Sequence, residues 1–267
     1  MPRPRAGHAV SVAVITGAAR GIGAATAARL AAAGWDLVLV DRAEDDPALP
    51  YPLATREELD AVARACQGVA VVADVRDQQA LNGAVGIALE RFGGLDAAVA
   101  VAGGIAGGRV AWETGEAAWA AMLDINVTGV WRLARAAVPA LLLRHTPRQG
   151  RFVAVASAGG TLGLPLLSAY SASKHAVVGF VRSLAAELGP YGVTANAVAP
   201  GSTETAMLDA SAAVYGLAST EEFAGHHQLG RLVRADEVAA LVAWLCGPDS
   251  AAITGAVLPV DAGMTAS

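Results

Sequence analysis

The chain has 267 residues, a length that suits one large α/β domain. Apolar residues make up 54% of it, enough for a sizeable core, and the net charge of -5 is spread without long runs. No basic patch argues for nucleic acid. Two cysteines, Cys66 and Cys246, stand far apart with no His or Cys at ligand spacing, so neither a disulfide framework nor a metal site is expected. Residues 1–8 read as a short tail rather than a secretory signal, because the apolar run behind them flows straight into Thr16-Gly17. No apolar run reaches membrane-spanning length, and a cytoplasmic protein is expected.

Val10 to Ile15 is a short Val/Ile-rich run, hence a buried strand. Thr16-Gly17-Ala18-Ala19-Arg20-Gly21-Ile22-Gly23 follows, then an alanine-rich helix from Ala24 to Ala33. In that context the glycines either form a tight turn with no ligand or let backbone approach a pyrophosphate, to which the helix N-terminus offers free N–H groups. Asp36 to Val40 is the second strand, and Asp41 stands at its end, 18 positions after Gly23. An acidic residue there binds ribose hydroxyls and repels a 2′-phosphate, which favours NAD over NADP. Arg42 either opposes that preference or is a solvated loop charge; Asp41 carries more weight because it sits at the strand end.

Residues 42–54 form a polar, proline-bearing insertion, and Thr55-Arg56-Glu57-Glu58 is a capping box that opens the next helix. Val69 to Ala73 is the third strand, with Asp74 and Val75 behind it. Asp74 either reaches an adenine amino group or caps a helix. Gln78 to Phe92 is helical, Leu95 to Val101 is the fourth strand, and Ala102-Gly103-Gly104 opens a loop. One or two helices fill Glu116 to His145. Arg151 to Ala156 is the fifth strand, ending at Ser157. Ser168 to Leu188 is a helix, Val193 to Ala199 the sixth strand, and Pro200-Gly201 follow it. Residues 202–230 read as an irregular lid. A helix over Arg234 to Leu245 and a strand over Ala256 to Val260 complete the chain. Alternating strands and helices predict a parallel, doubly wound sheet.

Tyr170-x-x-x-Lys174 places a phenol and an ammonium on one helix face. A phenol titrates near pH 10, and a neighbouring positive charge lowers that value. So tuned, it exchanges a proton with a substrate hydroxyl or carbonyl.

Taken together, Thr16-Gly17-x-x-x-Gly21-x-Gly23, Asp74-Val75, Asn126, Ser157, Tyr170-x-x-x-Lys174 and Pro200-Gly201 resemble the short-chain dehydrogenase/reductase family of ordinary length. They stand in the family's order, with Ser157 thirteen positions before Tyr170, and the resemblance runs from Val10 to about Met264. It implies a single Rossmann domain: seven parallel strands flanked by helices on both faces. It implies Tyr170 as general acid/base, Lys174 as its tuning cation and ribose ligand, Ser157 as the holder of the substrate oxygen, and Asn126 as the support of a water behind Lys174. Gly17, Arg20, Gly21, Ile22, Gly23, Asp41, Arg42, Asp74, Val75, Gly103, Pro200, Gly201, Thr203 and Thr205 are the implied cofactor-binding positions, with the two threonines on the nicotinamide carboxamide. A homotetramer is the family's usual assembly. One departure stands out: the family's Asn-Asn-Ala-Gly is here Ala100-Val101-Ala102-Gly103, so the amides that tie this strand to its neighbours are gone.

The insertion from Asp45 to Thr55 is similar to that of carveol-dehydrogenase-like and mycofactocin-associated members, which implies tightly held NAD and an external redox carrier. Either it covers the adenosine end or it is a surface elaboration. The expected reaction interconverts a small, fairly apolar secondary alcohol and its ketone. A 3-oxoacyl-thioester reductase and an NAD-binding sensor are the alternatives. Met207, Leu208 and Tyr215 are expected to line an apolar pocket, and His226 and His227 to be a solvated pair or substrate contacts. Trp112, Trp119 and Trp131 are expected in the core or at a subunit interface, and His175 is expected to be structural.

Overall fold

The computed structural model describes residues 10–144 and 149–266. The expected tail over residues 1–8, and the proposed helix end at His145, lie outside the described residues. Strands β1 (Val12–Thr16), β2 (Asp36–Asp41), β3 (Val69–Val72), β4 (Ala97–Ala100), β5 (Arg151–Val155), β6 (Thr194–Pro200) and β7 (Val257–Val260) form one sheet. Its order is β3-β2-β1-β4-β5-β6-β7, and every adjacent pair is parallel. Strands β1, β4, β5 and β6 are buried along their whole length, as a sheet covered on both faces requires.

Two apolar layers flank the sheet. Helices α3 (Gln78–Phe92), α5 (Gly129–Leu142) and α6 (Ser168–Leu188) build one, with Leu81, Leu133 and Val177 at its centre. Helices α1 (Gly21–Ala32), α2 (Arg56–Cys66) and α8 (Ala235–Cys246) build the other, around Leu30, Leu59 and Val242. Alternate residues of one strand feed the two layers: Val12 and Val14 face one, Ala13 and Ile15 the other.

Local signals fixed several boundaries. Thr55 and Glu58 form the reciprocal capping box, so α2 starts where the sequence indicated. Asp77 caps α3, and Gly93 ends it in the left-handed region. Between α4 (Glu116–Leu123) and α5 the chain widens into a π-helical turn, Asp124–Thr128, that carries Asn126.

The expected irregularity of the lid segment is corrected. Residues 202–230 are not irregular: Ala206–Tyr215 is a helix, α7, and Thr220–His226 is a 3-10 segment. The alanines of α7 favour helix, and Gly216 stops it at φ 64°. The tryptophans are also not core. Trp112 is 84% exposed, and Trp119 and Trp131 are each exposed by more than two-fifths.

Strand order reverses between β1 and β4, and the crevice beyond the carboxyl ends at such a reversal is where open α/β sheets bind ligands.

Candidate active site

A cleft of about 780 Å³ opens over the carboxyl ends of the strands. The turn after β1 forms its floor. Gly17 has φ 68°, and a Cβ on it would lie 2.6 Å from the Ala102 backbone nitrogen. A Cβ on Gly23 would lie 1.9 Å from the Gly17 oxygen, so Gly23 is a packing glycine beneath the turn and does not itself line the cleft. Gly21 and Ile22, at the first turn of α1, do line it. No side chain caps α1, which leaves its leading N–H groups free for an anion.

Arg20 also lines the cleft, but its guanidinium is held by Glu58 in two contacts of 2.8 and 2.7 Å. Asp41 sits at the end of β2, where its carboxylate accepts N–H groups from Ala19 at 3.0 Å and Ala43 at 3.2 Å. The neighbouring Arg42 is not a solvated loop charge. It pairs with Asp46 and lies 3.3 Å from Asp74. Asp74 in turn is gripped by Arg76 at 2.6 Å, and the arginines hold its carboxyl below the usual range against the upward push of burial. Val75 packs against Gly129, where a Cβ would lie 2.7 Å from it.

The insertion is part of the site, and sequence reasoning missed its side chains. Asp46, Leu49 and Tyr51 line the cleft. A Cβ on Gly104 would lie 2.8 Å from Leu49, and the Tyr51 hydroxyl accepts the Ile105 N–H at 3.2 Å. Gly104 and Ile105 follow β4, whereas the insertion follows β2. In the sheet β1 lies between β2 and β4, so the insertion crosses above the glycine turn as a strap. Burial pushes the Tyr51 phenol up to about 12. The Pro50-Tyr51-Pro52 run was the available signal, because flanking prolines fix the backbone and leave the tyrosine little freedom.

Over β4 to β6 the site turns to proton chemistry. Ser157 Oγ accepts the Gly159 N–H at 3.0 Å, leaving its own hydroxyl hydrogen free to donate. Tyr170 and Lys174 stand one turn apart on α6, 7% and 4% exposed. Lys174 Nζ donates to the Val155 carbonyl at 3.0 Å and lies 5.8 Å from the Tyr170 ring centroid. The expected tuning is reversed by desolvation. Burial pushes the Tyr170 phenol up while Ser157 pulls it back, and burial alone lowers Lys174 to about 8.

Asn126 is one layer behind. Its carbonyl accepts the Gly104 N–H at 2.8 Å, and its amide donates to the Gly104 carbonyl at 3.0 Å and to Ser173 at 2.9 Å. Gly103 leaves room between the Asn126 oxygen and Lys174 Nζ: a Cβ there would meet them at 3.1 and 3.4 Å. Beyond β6, Pro200, Gly201, Thr203 and Thr205 line the cleft. The Thr203 and Thr205 hydroxyls donate to the Gly201 and Thr203 carbonyls, and a Cβ on Gly21 would lie 3.0 Å from Thr205. The segment after β4 is tied to β1 without side-chain amides of its own: the Thr16 hydroxyl accepts the N–H groups of both Val101 and Ala102 at 3.3 Å.

The mouth is apolar. Leu49, Tyr51, Ile105, Leu167, Tyr170, Met207 and Tyr215 share one cluster. Leu208 lines the cleft and packs beside Phe223. His226 also lines the cleft, but His227 is neither solvated nor a substrate contact. It is 4% exposed, its Nε2 accepts the Ser202 N–H, and its Nδ1 meets the Arg231 carbonyl at 2.6 Å. His175 is exposed, with its Nδ1 2.9 Å from the Ser171 carbonyl. Among the described residues no cluster of His, Cys, Asp or Glu fits a metal ion.

Residues 17–265 match a family model described as enoyl-(acyl carrier protein) reductase. The chain belongs to the short-chain dehydrogenase/reductase family. It is therefore an oxidoreductase. A (-)-trans-carveol dehydrogenase of Rhodococcus erythropolis is 37% identical, over 95% of this chain and 97% of that protein. An NAD-dependent oxidoreductase of Mycobacterium tuberculosis is 37% identical over 94% of each chain. The crystal structure of carveol dehydrogenase from Mycobacterium avium in complex with NAD superposes with a TM-score of 0.88 at 34% identity, covering 96% of this chain and 98% of that one. This short-chain dehydrogenase/reductase has the family's seven-stranded parallel sheet and a complete Ser157, Tyr170 and Lys174 set in one cleft.

Proposed function

We propose that the protein is an NAD-dependent dehydrogenase that interconverts a small, fairly apolar secondary alcohol and its ketone. The observation that carries this reading is the meeting of Ser157, Tyr170 and Lys174 beneath an apolar mouth, at the far end of a cleft that starts at a glycine turn and Asp41. NAD is the cofactor. The residues fit it: the glycine turn has no room for side chains, α1 presents uncapped N–H groups, and Asp41 offers a carboxylate to ribose hydroxyls. When bound, the nicotinamide ring takes up or gives the hydride.

The chain's own residues handle position and protons. Ser157, already accepting from Gly159, donates its hydroxyl hydrogen to the substrate oxygen. Tyr170 takes the proton of an alcohol as phenolate, or gives one to a ketone oxygen as phenol. Lys174 holds the nicotinamide ribose, and its positive charge favours the phenolate as the proton leaves. Asn126 pins Gly104 and supports a water behind Lys174. Gly17, Gly21, Ile22 and Arg20 flank the pyrophosphate, Asp74 and Val75 the adenine, Gly103 the ribose, and Pro200, Gly201, Thr203 and Thr205 the nicotinamide.

The strap gives this enzyme a cofactor that it holds through many turnovers, with electrons leaving to an external carrier rather than with released NADH. A homotetramer in the cytoplasm is the expected form. Relatives named for carveol dehydrogenase support alcohol and ketone chemistry, and Asp41 counts against a 3-oxoacyl-thioester reductase, which would normally prefer NADPH. The test is to purify the protein without added cofactor, measure bound NAD by acid extraction, and assay a panel of secondary alcohols with NAD alone or with an artificial electron acceptor. About one NAD per chain and turnover only with the acceptor is the expected result. Fast multiple turnover on added NAD alone would exclude the held cofactor, and no oxidation of any alcohol would exclude the dehydrogenase.

A further inference from the structure

Three arginines, Arg20, Arg42 and Arg76, line the cleft, and each is committed to carboxylates. Arg20 is held by Glu58, Arg76 by Asp74 and Asp46, and Arg42 by Asp46. Asp46 is the shared partner. Its side chain is only 4% exposed, and it accepts from Arg42 and from Arg76 Nη2 at 2.6 Å through one oxygen while the other takes the Ala48 N–H at 2.9 Å. Asp46 lies in the strap, five residues after Asp41.

Arg42 directly follows Asp41, the residue set against the ribose hydroxyls. A guanidinium in that place is well suited to a 2′-phosphate, which it grips with two parallel hydrogen bonds. Left unpaired, it would work against Asp41. We propose that Asp46 is a specificity-determining residue: it ties Arg42 down, so that the choice of NAD over NADP depends on two carboxylates, Asp41 and Asp46, rather than on Asp41 alone. The inference rests on the placement of the adenosine ribose at Asp41.

The geometry identifies which arginine the loss of Asp46 would release. Arg76 keeps Asp74 through its Nε at 3.0 and 3.1 Å and its Nη2 at 2.6 Å. Arg42 keeps only a 3.3 Å approach to Asp74 and a 3.4 Å approach to the exposed Glu44. The local charge also changes sign in its consequence. With Asp46 present, two guanidinium groups meet two carboxylates and Asp41 remains as a net negative charge beside the ribose. With Asp46 neutralised, Arg42 cancels it.

The test is a competition titration of 2′,5′-ADP and 5′-ADP against NAD on the purified full-length protein, with no catalysis involved. Asp46→Asn, similar in shape, is expected to raise the affinity for 2′,5′-ADP relative to 5′-ADP by tenfold or more, and Asp46→Asn with Arg42→Gln to lose that gain. An unchanged ratio in folded Asp46→Asn overturns the inference, as does a gain that survives removal of Arg42. Asp41→Ala separates this from the ribose placement. A ratio that moves in Asp41→Ala but not in Asp46→Asn overturns the role of Asp46 alone; a ratio that moves in neither overturns both. If Asp46→Asn does not fold, Arg42→Gln alone decides. A ratio within about twofold of the parent supports a sequestered arginine, and a tenfold loss of 2′,5′-ADP binding shows Arg42 already free.

Discussion

The Tyr51 hydroxyl accepts the backbone N–H of Ile105 at 3.2 Å, joining the segment after β2 to the loop after β4. Because β1 and its glycine turn lie between those strands, this contact closes a strap over the place where a pyrophosphate would rest. Leu49 reinforces it by packing on Gly104.

Cofactor release should therefore depend on Tyr51. A part-buried hydrogen bond of this kind contributes about 1 kcal/mol, roughly fivefold in a rate constant. Tyr51→Phe should speed NAD release by about that factor, and Tyr51→Ala, which also removes apolar contact, by more. Stopped-flow displacement of bound NADH measures it. An unchanged release rate in Tyr51→Ala would mean that the strap does not gate the cofactor.

Lys174 makes a pH prediction. Its folded-state value of about 8 lies below the ordinary 10.5 because burial penalises the charge. Between these values the unfolded chain carries the proton and the folded chain does not, so this group makes stability rise with pH across that window. Below pH 8 the full penalty is present, on the order of 3 kcal/mol. Lys174→Met should accordingly be at least as stable as the parent at pH 7 while losing activity, despite the lost bond to Val155. That advantage should shrink from pH 8 to 10.5. Urea unfolding at several pH values checks this; a variant less stable than the parent at pH 7, with no change in the difference at higher pH, contradicts it.

Thr16 ties the end of β1 to the segment after β4. It is 1% exposed, and its hydroxyl accepts two N–H groups at 3.3 Å. Thr16→Val leaves both N–H groups unsatisfied and should cost about 1–3 kcal/mol. Thr16→Ser, which retains the oxygen, should cost less than half of that. Equal losses in the two variants would point to the methyl group instead.

Thr16 also shows where the sequence was legible. The glycine spacing, the Tyr170–Lys174 repeat and the alternation of strands and helices are local or periodic, and α3 and α6 begin and end at the residues expected. What the sequence hid depends on contacts between distant segments. Nothing local says that Thr16 meets the Val101 N–H 85 positions away, that Asp46 reaches Arg76 across 30, or that Tyr51 meets Ile105 across 54. His227 looks like a surface histidine until the Ser202 N–H and the Arg231 carbonyl close around it. The state of Tyr170 was equally invisible: spacing predicted the cation, but only the packed cleft reveals that burial pushes the phenol up while Ser157 pulls it back.

In the proposed reaction Tyr170 moves the proton. The most direct test is Tyr170→Phe, which removes one hydroxyl from a 7% exposed ring and leaves the packing in place. NAD affinity should stay within about threefold of the parent, while the rate of alcohol oxidation falls by about 10² to 10⁴. Single-turnover oxidation of an accepted alcohol, with bound NAD quantified in the same sample, gives both numbers. Near-parental turnover with NAD fully bound would contradict the account.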